Sequence, residues 1–243
     1  MAYRFDDDLE FLGKLQSKDL DDLVYCLIHD TDGKERLTEE LTSNDLYKRY
    51  APDHNKYWED IAGEIQCFGA NTFATIFRRG KGVKYNEVLT DVCDKLNVNY
   101  NKNSSTEMIE NNLLLKILQD ALEKMTPEDI KSLGKELGIN NTTSLDKQAT
   151  LAACQTIFKM GGFKSYQLTL IIANAIMKAL FGRGLTLVAN STLTRIMAIL
   201  TGPIGWAITA LWTMIDIAGP AYRVTIPAVI QVAYLRKKYT VGY

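Results

Sequence analysis

The stretch TEMIENNLLLKILQDALEKM, residues 106–125, decides the fold class of this chain. Its apolar residues Ile109, Leu113, Ile117 and Leu118 recur at helical spacing, which places them on one face of an α-helix. Apolar residues elsewhere follow the same spacing, and no segment alternates convincingly with a period of two. The sequence therefore predicts an all-α protein, with a multi-helix N-terminal bundle followed by an apolar C-terminal helical hairpin or membrane region.

Capping residues mark some helix boundaries. In TPEDIKSLGKELG, residues 126–138, Thr126 is expected to cap a helix that has Pro127 at its first position and Asp129 in its first turn. The acidic run Asp6–Asp8 is expected to cap a first short helix, since capping is a far commoner role for such a run than metal binding.

Charge divides the chain, whose 243 residues carry a net charge of only −1. Residues 1–163 contain 20 basic and 28 acidic side chains, whereas residues 164–243 contain 8 basic side chains and one acid, Asp216. This asymmetry suggests that the two parts face different environments. We predict a short N-terminal helical domain over 1–40, a cytoplasmic helical domain over 41–162 and an apolar, membrane-associated helical region over 163–243.

The best candidate for a membrane contact is RIMAILTGPIGWAITALWTMID, residues 195–216, which has twenty uncharged residues between Arg195 and Asp216. A helix needs roughly 20 residues to cross the apolar core of a bilayer. The run 196–215 can form one arm of a hairpin, with a return arm at 221–235, and the block 165–181 would add a span or an interfacial helix. The predicted membrane or pore residues are Ile196, Pro203, Trp206, Ile208, Leu211, Trp212, Asp216 and Arg223.

A buried core is the alternative interpretation of the same stretch. If Gly202-Pro203 forms a turn, the apolar blocks are mostly too short to span a bilayer. Arg223 separates the two interpretations, because a charge inside a span costs about 2.5–3.5 kcal/mol on insertion scales. In a soluble bundle, Arg223 would pair with an acid from the N-terminal half.

The sequence lacks the common motifs of enzyme chemistry. His29 and His54 have no partner at metal-ligand spacing, and the patterns HExxH, GxSxG and the phosphate-binding loop are missing. The four cysteines are widely spaced and are expected to be buried, reduced thiols. We predict that the protein is not an enzyme and has no metal or cofactor.

One cationic turn predicts a ligand site. The stretch FRRGKGVKY, residues 77–85, places four cations and two glycines between predicted helices. Backbone N–H groups at glycines and at a helix start can approach an anion, and aromatic rings can stack on a base. A solvated loop is the simpler alternative. The candidate residues for a phosphate or nucleic acid are Arg78, Arg79, Lys81, Lys84 and Tyr85, with Lys48 and Arg49 of NDLYKRY as a weaker second group.

Several stretches together resemble a bacterial family. They are YRFDDDLEFLGKLQSKDLDDLVYCLIHDTDGKERLTEEL at 3–41, NDLYKRY at 44–50, WEDIAGEIQCFGANTFATIFRRGKGVKYNEVLTDVCDKL at 58–96 and GPAYRVTIPAVIQVAYLR at 219–236. Over nearly the whole chain, the sequence is similar to the YaaW-like family, which is grouped with the ubiquinol–cytochrome c chaperones.

This resemblance implies two alternative functions. It extends to membrane effectors of bacterial anti-phage defence of the Hailong type, in which a partner nucleotidyltransferase makes a nucleotide signal. That similarity implies a homo-oligomeric ion channel in the inner membrane, whose cytoplasmic domain binds a nucleotide or single-stranded oligonucleotide. Similarity to the cytochrome c chaperones implies instead a soluble or membrane-peripheral assembly factor, which binds a nascent membrane protein through an apolar groove.

Overall fold

The fold is all-α, as the sequence predicts. The structure, a computed structural model, describes residues 3–36, 39–68, 82–136, 146–186, 207 and 222–242. These residues form nine α-helices and no β-strand apart from an isolated bridge between His29 and Glu35. The helices are α1 (Ser17–Ile28), α2 (Asp45–Tyr50), α3 (Trp58–Phe68), α4 (Tyr85–Lys95), α5 (Thr106–Lys124), α6 (Pro127–Glu136), α7 (Lys147–Met160), α8 (Gly162–Phe181) and α9 (Tyr222–Val241). Short 3-10 helices lie at Glu10–Lys14 and His54–Tyr57.

The C-terminal helix α9 lies at the centre of the bundle. All of its residues from Val224 to Leu235 are buried. It packs most extensively against α8 and also contacts α1, α3, α4 and α5. A helix that is apolar on all sides is typical of a position where other elements cover it completely. The packing of α9 therefore accounts for its apolar sequence.

Two segments that were predicted to enter a membrane are helices packed against each other. The block 165–181 lies within α8, and the return arm 221–235 corresponds to α9 from Tyr222 onward. No helix in the described part of the chain is long and apolar enough to cross a membrane. The predicted span 196–215 lies outside the described residues, except for Ala207, which is buried.

Ion pairs join the basic C-terminal part of the chain to its acidic N-terminal part. The pairs are Arg236 Nε–Glu110 Oε2 at 2.9 Å, Lys237 Nζ–Glu107 Oε1 at 2.6 Å, Lys238 Nζ–Asp19 Oδ1 at 2.5 Å and Arg183 Nη2–Asp22 Oδ1 at 3.2 Å. Each cation comes from the part after residue 163, and each acid comes from the part before it. These two parts therefore contact each other, and the charge asymmetry is at least partly an intramolecular complementarity.

One of these pairs contains a fully buried acid. Glu110 is 0% exposed, and it accepts hydrogen bonds from Arg236 Nε at 2.9 Å, from Arg236 Nη2 at 3.2 Å and from the Tyr85 hydroxyl at 2.8 Å. Burial raises the pKa of Glu110, and pairing with Arg236 opposes that shift. Arg236 also donates to the carbonyl oxygen of Asp8 at 2.8 Å and lies over the Phe11 ring. The pair therefore ties α9 to α4, α5 and the N-terminal segment.

The acidic run at 6–8 has a different role from the one predicted. The 3-10 helix Glu10–Lys14 has Leu9 as its N-cap and no side-chain capping bond. Instead, Asp6 Oδ2 accepts a hydrogen bond at 2.7 Å from the backbone N–H of Tyr85, the first residue of α4. The predicted side-chain cap of the first helix is therefore wrong: Asp6 Oδ1 accepts the N–H of Asp8 at 3.2 Å in the preceding turn, and Asp6 Oδ2 serves a helix that begins 79 residues later.

Candidate functional site

An open cleft between α5, α7 and the turn after α4 is the candidate binding site. Its volume is about 350 Å³, which lies at the lower end of the range of ligand pockets, roughly 300–1,000 Å³. The lining residues are Asn97, Asn99, Asn112, Leu115, Lys116, Gln119, Leu151 and Gln155. Since five of these eight residues carry a side-chain amide, we name this site the amide-lined cleft.

The turn after α4 brings two asparagines to the cleft. Helix α4 ends at Lys95, and Asn97 then adopts a φ angle of 53°, in the left-handed region that asparagine tolerates better than most residues. The backbone N–H of Val98 donates to the carbonyl oxygen of Cys93 at 2.8 Å, and the Val98 side chain is buried. The buried valine anchors the turn, so that Asn97 and Asn99 on either side of it are exposed.

Helices α5 and α7 form two similar walls. On α5, Leu115 is half-buried and Gln119 is exposed; on α7, Leu151 is half-buried and Gln155 is exposed. Residues four apart lie on the same side of a helix. Each wall therefore offers a half-buried leucine and an exposed glutamine to the cleft.

The cleft carries little net charge. Lys116 is the one charged residue in its lining, and its Nζ lies 2.6 Å and 2.5 Å from the two carboxylate oxygens of Asp120, one turn later on α5. This pairing neutralises the lysine locally. The lining therefore favours a neutral polar ligand over an anion.

Side-chain amides suit the recognition of a polypeptide backbone. Each asparagine or glutamine has an acceptor oxygen and an NH₂ donor group, and a peptide unit likewise has one donor and one acceptor. A segment that lies in the cleft can therefore pair its N–H and C=O groups with these amides. Leu115 and Leu151 provide apolar surface for one of its side chains.

The predicted phosphate site is only partly described. The cations outside the described residues are Arg78, Arg79 and Lys81. Lys84 is exposed and precedes α4 directly as its N-cap. Tyr85 is fully buried, and its hydroxyl is hydrogen-bonded inside the protein. Its ring therefore has no face free to stack on a base, and the aromatic part of the predicted site is not present at this residue.

The second group of candidate cations lies on α2. Lys48 and Arg49 are both exposed. The ring of the preceding residue, Tyr47, packs edge to face on that of Tyr57, with 5.6 Å between the ring centroids. The two cations are accessible to a ligand, and their binding of a phosphate stays a prediction.

Most of the predicted membrane or pore residues lie outside the described part of the chain. Those outside the described residues are Ile196, Pro203, Trp206, Ile208, Leu211, Trp212 and Asp216. Arg223 is described, and it is half-buried at the second position of α9. A pore formed by these residues stays a prediction.

The sequence interpretation missed the amide-lined cleft, which draws its residues from three separate elements. Its lining follows no motif spacing. The one local signal is the amide-rich stretch NVNYNKN at 97–103. Among the described residues, no group of three or more His, Cys, Asp or Glu side chains could hold a metal ion.

Comparison with known proteins places the chain in a family. A family model described as Ubiquinol-cytochrome C chaperone matches residues 53–230, which include the whole cleft, and a domain of unknown function, DUF3944, matches residues 3–37. A UPF0174 protein of Helicobacter pylori is 57% identical over 98% of this chain and 94% of its own length. The UPF0174 protein YaaW of Escherichia coli is 32% identical over 97% of this chain and 95% of its own length. No solved structure matches.

These matches assign the chain first to the class of the ubiquinol–cytochrome c chaperone proteins. Within that class, the chain belongs to the UPF0174 family, which includes YaaW. The resemblance to the YaaW-like family is therefore confirmed. Neither the family descriptions nor the names of these relatives point to a channel, a pore or a role in anti-phage defence.

Proposed function

We propose that the protein is an assembly chaperone, which binds a short segment of a client polypeptide in the amide-lined cleft. The observation that carries the proposal is the lining of the cleft, where five neutral amides and two leucines complement a peptide backbone and one apolar side chain. The family model over residues 53–230 supports the proposal, because its description is that of a chaperone.

The chemistry of the cleft indicates how the client would be held. Amide groups would form hydrogen bonds with the backbone of the client and would contact few of its side chains. The cleft can therefore accept a segment that is not yet folded. A site this small covers only a short segment, and we expect an affinity of about micromolar or weaker, which permits release during assembly. The protein would act by binding alone, and its client would be a subunit of a membrane-bound complex.

Deletion of the gene and complementation test the proposal. Membranes of the deletion strain are resolved by native gel electrophoresis, assembled respiratory complexes are quantified, and ubiquinol–cytochrome c reductase activity is measured. We expect at least one complex to decrease, with its subunits accumulating unassembled. The wild-type gene should restore assembly, whereas Leu151→Asp, which places a charge in the lining of the cleft, should not.

A matched variant controls for the added charge. Leu46→Asp introduces the same side chain at a leucine that is 40% exposed on α2, away from the lining residues, and it should restore assembly fully. Unchanged complexes in the deletion strain would refute the chaperone function. Full restoration by Leu151→Asp at wild-type protein levels would refute the cleft as the binding site.

A further inference from the structure

We infer that the corner between α7 and α8 binds the surface of an anionic lipid bilayer. The corner comprises residues Lys159 to Lys164, with the sequence KMGGFK. It is distinct from the amide-lined cleft, and the inference does not depend on the proposed chaperone function.

The corner projects from the bundle. Helix α7 ends at Met160, and α8 begins at Gly162. Gly161 and Gly162 both have a φ angle of +68°, a conformation that favours glycine. Apart from the adjoining chain, no heavy atom of the described residues lies within 4 Å of the position that a Cβ atom would take on either glycine. The chain therefore turns in open space at this point.

An apolar side chain stands at the tip of the corner. Met160 is 79% exposed, the largest value among the exposed large hydrophobic residues of the described structure. The neighbouring Phe163 is half-buried, and its ring packs against that of Tyr166 at 6.0 Å. Phe163 thus anchors the corner to the core. Met160 points into solvent, where it is available to insert into the apolar part of a bilayer.

The charged residues close to the tip along the sequence are all positive. Lys159 and Lys164 flank Met160 and are both exposed. Residues 147–186 contain five basic side chains and no acidic one. An anionic membrane surface attracts lysines that lie within about 10 Å of it, the screening length at moderate salt. The corner therefore combines an apolar point with cations, the pattern of a side chain that inserts among lipid head groups.

The shape of the corner favours a bilayer over a protein partner. A stable protein interface needs roughly 1,000 Å² or more of complementary surface, whereas this corner is a projecting turn with a single apolar side chain. A bilayer surface accommodates such a projection, because head groups can move aside around one methionine.

Co-sedimentation with vesicles tests the inference. We expect the full-length protein to sediment with vesicles of phosphatidylcholine that contain phosphatidylglycerol, and not with phosphatidylcholine alone, and binding should weaken as salt increases. The double variant Lys159→Glu, Lys164→Glu should bind at least about 20-fold more weakly, since each lysine contributes roughly fivefold. Met160→Asp should weaken binding by about tenfold.

Two control variants match these changes elsewhere on the surface. Met108→Asp alters another methionine that is 54% exposed, and Lys18→Glu with Lys102→Glu produces the same change of net charge at two exposed lysines. Both controls should bind like the wild type, and circular dichroism should show an unchanged helix content in every variant. The inference is overturned if the wild type ignores the anionic vesicles, if it binds both vesicle types equally, or if the corner variants bind no more weakly than the controls. Since no client is present, failure here leaves the assembly experiment unaffected.

Discussion

Replacing Arg236 with methionine tests whether the buried ion pair holds the C-terminal helix in place. Methionine is also long and unbranched, so Arg236→Met removes the charge and the donors while keeping much of the packing. Glu110, which is 0% exposed, would lose both hydrogen bonds from Arg236 and keep only the one from Tyr85. The carbonyl oxygen of Asp8 would also lose a donor that now lies at 2.8 Å.

The expected loss of stability is large. Removing one partner of a buried ion pair costs about 3–5 kcal/mol, because the remaining group stays buried without its partner, either charged or protonated. In urea, this loss should lower the unfolding midpoint by roughly 1–2 M. Burial already raises the pKa of Glu110 above its ordinary value of 4.5, and the variant lacks the arginine that opposes this shift. Native Glu110 then keeps a proton that the unfolded chain releases, so the stability of the variant should fall as the pH rises above that value.

Urea unfolding followed by far-ultraviolet circular dichroism measures these effects. Adding Glu110→Gln to Arg236→Met should recover more than half of the loss, since glutamine keeps an acceptor for Tyr85 without a buried charge. Arg49→Met, at an exposed arginine of α2, should change the stability by less than about 0.5 kcal/mol. A loss in Arg236→Met no larger than in this control, or no recovery in the double variant, would refute the reasoning.

Three further substitutions test other contacts. In Gly82→Ala, the new Cβ would lie 2.6 Å from the Cβ atom and 2.7 Å from the carbonyl carbon of Gln66. We therefore expect the free energy of unfolding, measured in urea, to fall by about 1–3 kcal/mol. An unchanged unfolding midpoint would contradict this. Asp22→Ala removes the carboxylate that accepts a hydrogen bond from the Thr186 N–H at 2.7 Å. We expect the free energy of unfolding to fall by a similar amount, about 1–3 kcal/mol, and wild-type stability would count against this expectation. Burial raises the pKa of Glu64 to about 8, so wild-type stability should fall as the pH rises from about 4.5 to about 8. Glu64→Gln should show a flatter pH profile of unfolding, and parallel profiles would show that this acid does not contribute.

Local sequence patterns predicted those features that depend on neighbouring residues. Helix α6 begins at Pro127 as expected. Thr126 donates its N–H to Asp129 Oδ2 at 3.1 Å and accepts the N–H of Asp129 at 3.2 Å, which is a reciprocal capping arrangement. These partners are three residues apart, so the sequence contains the whole interaction. Asp6 Oδ2, in contrast, accepts a hydrogen bond from a backbone N–H that lies 79 residues away. No local pattern in the sequence encodes that contact.

Tyr85 shows that helical periodicity predicts the direction of a side chain better than proximity to a motif. The residue follows a cationic turn, and this position suggested that it stacks on a ligand. It also lies on the apolar face of α4 with Val88, Leu89 and Val92, all of which are buried. The amide-lined cleft could not be predicted in this way, because it exists only where α5 and α7 pack beside the turn at Asn97.

The charge asymmetry of the sequence does not by itself reveal what the C-terminal cations contact. A surplus of cations after residue 163 is compatible with an anionic membrane and equally with acids elsewhere in the same chain. The structure separates these possibilities for five of these cations: Arg183 and Arg236–Lys238 pair with acids of the N-terminal part, whereas Lys164 is exposed on a projecting corner, together with Lys159 just before the boundary. The paired cations stabilise the bundle and would have to break those contacts to reach a lipid. The membrane contact that we propose therefore lies at the corner between α7 and α8, and not along α9.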